Sequence, residues 1–277
     1  MIKFAFPAIA LLAILLNNGA VAQNNKPLKQ GRVVYEQLIK GGESSVTING
    51  NSQTFTRPDR TLKWELLFTA DQSLRRSIEA DERPEADIAV PGMGAGMTGS
   101  VRMVSAFMPE STIWHNFPAG RRVDQRETVG KKFLVEDSIT KHTWKLTGES
   151  KSILGYTCQK AITQTPVKSF NMQMQDGEFK RTEKWDTINV TVWFAPAIPV
   201  PGGPDFQGEL PGLILEYDSR NGASITRAVE ISETVKTADI KEPKTGKRVS
   251  KAEYDKEVDN QQKEMMDRMK SSRRANF

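Results

Sequence analysis

Period-two alternation of apolar and polar residues is the feature that most constrains the fold of this 277-residue chain. In "LKWELLF" at 62–68 and "TINVTVWF" at 187–194, every second residue is apolar. Alternation of this kind, rich in β-branched and aromatic residues, is typical of antiparallel strands with one buried face. Further strand candidates lie at 31–38, 101–107, 112–116, 131–137, 143–146, 155–163, 213–217 and 223–231. Because no helices alternate with these strands, the sequence predicts a mainly β (α+β) fold built on an antiparallel sheet.

Two segments depart from this pattern. Residues 81–100 are rich in Pro, Gly, Ala and acidic residues, which predicts a long mobile loop. Near the C-terminus, Ser250 and Glu253 fit a capping box, and apolar residues then recur at helical spacing. We therefore expect an amphipathic basic helix over about 251–271, within a C-terminal unit of 246–277. Its cations from Arg268 to Arg274 oppose the helix dipole favourably, and a membrane or partner docking patch is the alternative.

The N-terminus has the pattern of a secretory signal peptide. Lys3 precedes an apolar run at 4–16, and Ala20-Val21-Ala22 provides a small-residue cleavage site. The run is too short to span a bilayer, which takes about 20 apolar residues. The sequence therefore predicts a signal peptide at 1–22, a β-rich domain at 23–245, and an exported protein that is not integral to the membrane after cleavage. A periplasmic or outer-membrane-associated location is expected.

Charge and cysteine content narrow the function further. The net charge is +5, with 39 basic residues interspersed among 34 acidic ones, which does not favour a nucleic-acid-binding face. Cys158 is the only cysteine, so no intramolecular disulfide forms. A lone cysteine is typically a small buried apolar side chain. The alternative is a reactive thiol that pairs with His115 or His142 as nucleophile and base.

Metal and cofactor motifs are weak. The two histidines have no metal-ligand spacing, and no phosphate loop, dinucleotide fingerprint or nucleophile elbow is present. Met93, Met97, Met103 and Met108 cluster ahead of His115, which suits either soft Cu(I) ligation or apolar filling. The sequence thus predicts no cofactor, metal or catalytic residue, with a soft-metal carrier as an alternative.

A proline- and glycine-rich stretch, "WFAPAIPVPGGPDFQGELPGLILEY" at 193–217, interrupts the strands. Its prolines are incompatible with an ordinary central strand. Pro211 and Gly212 suit the central positions of a type II turn, in which Gly takes a positive φ and the next strand is aimed into the core. The functional alternative is that Glu209 and Glu216 form a carboxylate pair for acid–base chemistry.

Several linked motifs resemble those of the GLPGLI family. They are "LPGLILEY" at 210–217, the preceding "WFAPAIPVPGGPDFQG", "WKLTGESKSILGYTCQKA" at 144–161 and "KKFLVEDS" at 131–138. The motif residues, which we interpret as structural, are Gly155, Tyr156, Cys158, Lys160, Trp193, Pro196, Pro199, Gly208, Leu210, Pro211, Gly212, Leu213 and Ile214. Glu209 stands where the family has glycine, so a positive φ is not expected there.

The resemblance implies an exported protein of bacteria with an outer membrane, in a family of unestablished function. It also implies a curved antiparallel sheet or half-barrel, similar to periplasmic lipoprotein carriers. The sequence therefore favours non-enzymatic binding of a lipid or an envelope protein partner in the concave sheet. Inward-facing apolar residues at 62–68, 156–162 and 188–194 would hold the partner. The alternatives are the Cys/His enzyme and the copper carrier.

Overall fold

The computed structural model describes residues 27–48, 51–78, 111–128, 130–175 and 178–274, which fold into one large antiparallel sheet and a C-terminal helix. The strands are β1 (Gly31–Ile39), β2 (Gly42–Ile48), β3 (Asn51–Arg57), β4 (Arg60–Phe68), β5 (Gln72–Ser77), β6 (Ser111–Asn116), β7 (Arg121–Thr128), β8 (Lys131–Ser138), β9 (Lys145–Ile153), β10 (Tyr156–Gln175), β11 (Glu178–Ala195), β12 (Leu213–Ser219), β13 (Ser224–Ser232) and β14 (Lys247–Ser250). The helix α1 is Lys251–Arg274. The predicted mainly β fold class is confirmed.

The sheet runs in the order β14-β8-β7-β6-β5-β4-β1-β13-β12-β11-β10-β2-β3, and β9 pairs with β10. All neighbouring strands are antiparallel except β14 with β8 and the single β2–β10 pair, Ile48 with Met174. Among the described residues the two ends of this order do not pair, so the sheet is open. Within the described ranges, short connections join β4 to β5, β6 to β7, β9 to β10 and β12 to β13, as in a meander.

The strands predicted from alternation are present, with different lengths. The segment predicted as 155–163 is the start of the 20-residue β10, which pairs along its length with the 18-residue β11. At 164–168 and 182–187 of this hairpin no side chain is buried, and Trp185 is 66% exposed, so burial does not impose an apolar face on these residues. The segment predicted at 143–146 is displaced into β9. The predicted strand at 101–107 and loop at 81–100 lie outside the described residues.

Side chains of alternate positions build cores on both faces of the sheet. On β4, Leu66 and Phe68 join a cluster with Ile198 and Val200 of the loop between β11 and β12. Leu67, on the opposite face, packs with residues of β5 to β8 and with Ile240. The loop 196–212, called the covering loop below, therefore lies over one face, and the 233–246 segment lies over the other.

The C-terminal unit begins with a strand rather than a helix. β14 extends the sheet beside β8, and α1 starts immediately after it. The capping box is confirmed: Glu253 Oε2 accepts from the Ser250 backbone N–H at 2.8 Å, and the Ser250 hydroxyl oxygen accepts from the Glu253 N–H at 3.2 Å. Tyr254 packs edge-on against Phe133 and bonds Thr128 at 2.8 Å, which fixes the first turn of α1 on the sheet. No helix in the described ranges is long and apolar enough to cross a membrane.

Candidate functional site

A polar cavity of about 170 Å³ lies between strands β5 to β8 and the covering loop. It brings together both histidines of the chain, His115 and His142, and is called the His115–His142 cavity below. The sheet register explains one wall, because His115 and Arg122 are direct cross-strand neighbours on β6 and β7, and Arg75 and Ile113 are direct neighbours on β5 and β6. The remaining lining residues are Ser138, Ile139, Thr140, Pro204, Asp205, Phe206, Gln207 and Glu209.

The covering loop is tied to the sheet by side chains of β5. The Ser73 hydroxyl donates to Gln207 Oε1 at 2.5 Å, and both residues are buried. Arg75 donates through Nη1 to the Pro204 carbonyl at 2.5 Å, and its guanidinium lies 5.0 Å from the centre of the Trp64 ring. These bonds satisfy loop backbone and amide groups that would otherwise be buried without partners. They fix the position of the covering loop relative to β5.

Two positions in the covering loop have left-handed backbone. Phe206 has φ +54° and Gly208 has φ +83°. A bulky non-glycine residue in this region costs of the order of 1 kcal/mol or more and persists only where its surroundings enforce it. Here the Phe206 ring packs edge-on against His142, Trp144 and Tyr217 at centroid distances of 5.1–5.5 Å. The strained residue thus places an aromatic ring in the cavity wall.

Glu209 joins the covering loop to the segment that precedes β9. Its carboxylate accepts from the His142 backbone N–H at 2.8 Å and from the Trp144 indole N–H at 2.9 Å, and lies 3.0 Å from His142 Nδ1. The Glu209 side chain is 3% exposed. Lys141 reaches the neighbouring Gly208 carbonyl through its ammonium group. One carboxylate therefore orients a histidine and a tryptophan at the cavity.

His115 is 7% exposed and stacks on Phe117 at 6.3 Å. Burial lowers its pKa to about 3, and the positive charges of Arg122 and Arg75 act in the same direction. The imidazole is therefore neutral at pH 7, able to donate one hydrogen bond and accept another.

The proposed nucleophile Cys158 is not part of this cavity. Its side chain is buried, with Sγ 3.5 Å from the Tyr156 carbonyl. Burial raises its pKa to about 11, and neither histidine is among the groups that perturb it. The thiol therefore supplies no thiolate at neutral pH, which argues against the Cys/His enzyme and agrees with the expected buried apolar side chain.

The two carboxylates considered for acid–base chemistry have separate partners. Glu209 holds His142 and Trp144, whereas Glu216 accepts from Lys151 at 2.6 Å and Arg227 at 2.7 Å. Glu216 pairs across the sheet with Trp193, on the face opposite its neighbour Tyr217, which contacts Phe206. They form no catalytic pair.

The type II turn predicted for Pro211 and Gly212 is wrong, because Gly212 does not have a positive φ. A Cβ there would lie 2.5 Å from the Ala195 carbonyl oxygen. The glycine is therefore required by the close approach of two backbones. The expectation that position 209 needs no positive φ is confirmed.

The other motif residues build turns and cores. Gly155 has φ +82° in the β9–β10 turn, and Lys160 lies over the Trp193 ring at 5.8 Å. Leu210, Leu213 and Ile214 are buried, Tyr156 is half-buried, and Pro196, Pro199 and Pro211 are exposed. The motif thus shapes the covering loop, and only Gly208 adjoins the cavity directly.

The apolar residues proposed to hold an acyl chain are already occupied. Leu66, Phe68, Val190, Val192 and Phe194 are fully buried against residues of the chain itself. The methionines proposed for copper lie outside the described residues. Within the described ranges, no group of three or more His, Cys, Asp or Glu side chains could hold a metal ion.

Sequence reasoning missed most of the cavity. Arg75 and Arg122 interrupt the apolar alternation of β5 and β7, and Phe206 and Gln207 lie in a loop with no periodic pattern, so the sequence marks none of the four. The sequence does show two arginine-bearing segments and the only two histidines of the chain. That these residues lie together in space follows only from the order of the strands in the sheet.

The family described as "Protein of unknown function (Porph_ging)" has a model that matches residues 144–216. Among curated proteins, none matches this chain. Two solved structures of PNGF-II, in space groups C2 and P21, are similar at 16% and 15% identity, with TM-scores of 0.48 and 0.47. The similarity covers 82% and 83% of this chain, which spans about a third of the length of those structures (32% and 33%).

Proposed function

We propose that the protein is exported and acts in the cell envelope as a non-enzymatic binding protein, with the His115–His142 cavity as its ligand site. The observation that carries this proposal is the covering loop, held in a strained conformation over a polar cavity. Strain of this kind is typical of sites that are organised before the ligand arrives. A cavity with convergent polar groups is the feature that ligand sites share.

The lining supports a polar ligand, or the polar group of a larger partner. Arg75, Arg122, Gln207 and the two histidines present hydrogen-bonding groups, while Phe206 presents an aromatic face. An acyl chain would need an apolar groove, and the apolar side chains of the sheet are packed against the chain itself. A lipid partner would therefore bind through its head group.

Export is supported by the signal-peptide pattern at 1–22. The motifs at 144–217 also resemble the GLPGLI family of exported proteins, and they overlap the matched range 144–216. A non-enzymatic role is supported by the buried Cys158 thiol with its raised pKa.

The proposal is tested by native mass spectrometry of the protein purified from the envelope of the organism that makes it. Ser138 is exposed at the cavity wall, so Ser138→Trp blocks the cavity without disturbing a buried side chain. The matched control is Thr234→Trp, exposed on the segment over the opposite face. We expect a bound mass in the wild type and the control that is lost in Ser138→Trp. Retention of the mass in Ser138→Trp, or its absence from the wild type, would overturn the proposal.

A further inference from the structure

Three unpartnered buried polar atoms lie side by side on β6 and β7. Among the described residues, six buried side-chain nitrogen or oxygen atoms have no hydrogen-bond partner, and three of them are His115 Nδ1, Arg122 Nε and Asp124 Oδ1. His115 pairs directly with Arg122 in the β6–β7 register, and Asp124 is the next residue on the same face. His115 is 7% exposed and Asp124 is 2% exposed. Buried polar groups are almost always satisfied, so a cluster of three requires an explanation.

The charges around these atoms favour an anion. Arg122 and Arg126 share one carboxylate oxygen of Asp124, at 3.0 Å and 2.6 Å. Arg75 faces the same wall and has Asp205 at 3.6 Å as its counter-charge. Both Arg75 and Arg122 act on His115 as positive charges. Arg122, Arg126 and Asp124 therefore carry one net positive charge between them next to the unpartnered atoms, while the acids Asp205, Glu209 and Asp137 line the surrounding walls.

The unpartnered atoms also specify the hydrogen bonds that a ligand must make. Arg122 Nε–H can only donate, so it requires an acceptor. Neutral His115 adds one further N–H, whereas Asp124 Oδ1 can only accept and therefore requires a donor. Asp124 lies in the adjoining recess that Arg122 also lines, next to Tyr254. An oxyanion with a hydroxyl group close to it supplies both the acceptor and the donor.

We propose that the cavity and its adjoining recess, which Arg122 joins, together bind a hydroxylated oxyanion, a phosphate monoester or a carboxylate, with Arg122 and His115 donating to the anionic group and Asp124, in the recess, accepting from the hydroxyl. The inference rests on the proposed function, because it names the ligand chemistry of the same cavity. Charge-assisted hydrogen bonds to a guanidinium are among the stronger polar contacts, so Arg122 supplies much of the affinity.

The test is an NMR titration of the whole, ¹⁵N-labelled chain with four probes. Glycerol 3-phosphate and ethyl phosphate differ in hydroxyl groups, and glycerate and propionate differ in the same way. We expect saturable shifts of the Arg122 Nε–H and His115 ring signals, with the hydroxylated probe of a pair bound about tenfold more tightly. Shifts with the phosphates alone or with the carboxylates alone both support the proposal and identify the anion.

Variants complete the test. Arg122→Gln should weaken binding by about tenfold or more, while Lys236→Gln, an exposed charge on the opposite segment, leaves it unchanged. The wild-type titration needs no variant, so a misfolded Arg122→Gln leaves the test intact. Absence of saturable shifts with all four probes overturns the proposal, as does equal affinity of Arg122→Gln. Equal affinity for hydroxylated and plain probes overturns the role of Asp124. If any of these results is found while the native mass spectrometry shows a ligand in the wild type and none in Ser138→Trp, the proposed binding function stands and only the ligand chemistry is refuted.

Discussion

Replacing Glu209 by alanine tests whether one buried carboxylate fixes the covering loop to the segment before β9. In the structure this carboxylate accepts from the His142 backbone N–H and the Trp144 indole N–H, and it contacts His142 Nδ1. The Glu209 side chain is 3% exposed, so its removal leaves the His142 and Trp144 donors in a site that little water reaches.

The expected magnitude follows from the donors left behind. An unsatisfied buried donor costs about 1–3 kcal/mol, and the alanine variant leaves two of them. His142 and Trp144 are half-buried, so water reaches them in part, and the lower half of that range applies. We expect Glu209→Ala to reduce the free energy of unfolding by about 2–4 kcal/mol. Glu209→Gln keeps one acceptor oxygen and should lose about half as much.

The assay is denaturant unfolding combined with hydrogen exchange of the described segment 139–144. The His142 amide should exchange faster in Glu209→Ala, because its acceptor is the deleted carboxylate. Glu233→Ala is the matched control, since Glu233 is exposed, and its unfolding curve should match the wild type. A loss below about 0.5 kcal/mol in Glu209→Ala, the scatter of surface substitutions, with unchanged exchange at His142 would refute the reasoning.

Three further outcomes are expected. Because the pKa of His115 is lowered to about 3, its contribution to stability is complete above the unfolded pKa of 6.5 and is lost as the pH falls towards 3. In His115→Asn, the slope of the free energy of unfolding against pH should therefore be smaller by about 1 kcal/mol per pH unit between pH 6 and 5. An unchanged slope would contradict this. Cys158, with a pKa raised to about 11, should react with a thiol reagent at pH 8 only in guanidinium chloride, and rapid reaction of the native protein would show an accessible thiolate. Gly212→Ala places a Cβ 2.5 Å from the Ala195 carbonyl oxygen and should lower the free energy of unfolding by about 3 kcal/mol in denaturant unfolding. Gly42→Ala is the control, because a Cβ there has open space around it and should not destabilise the protein. Equal stability of the two variants would refute the close-approach argument.

Strands with an apolar face could be read from the sequence, and strands with a charged face could not. In β4 and at the end of β11 every second residue is apolar, because those residues pack in a core, and the apolar Leu67 and Trp193 between them face the opposite side of the sheet. β7, with the sequence RRVDQRET, places Arg122, Asp124 and Arg126 on the face that lines the cavity and its adjoining recess. The residues that make this strand part of a candidate site are the ones that hide it from a hydrophobic pattern.

The candidate site itself could not be assembled from the chain order. Glu209 and His142 are 67 residues apart, and Ser73 and Gln207 are 134 residues apart. No local spacing encodes either contact, because both depend on a loop that crosses from β12 to β5 over three intervening strands. Glu209 was visible as a departure from a glycine-containing motif, but its partners were not.

The short strand β14 has a consequence for the assembly state of the protein. It covers the outer edge of β8 with four residues and passes directly into α1. An uncovered β8 would present a row of free backbone N–H and C=O groups, which is the template on which sheets of separate molecules join. β14 is too short to serve as a template in turn, and Tyr254 anchors the helix beside it. β14 therefore shields the backbone of β8 at Phe133–Glu136, so that this edge of the sheet offers fewer free groups to the strand of another molecule.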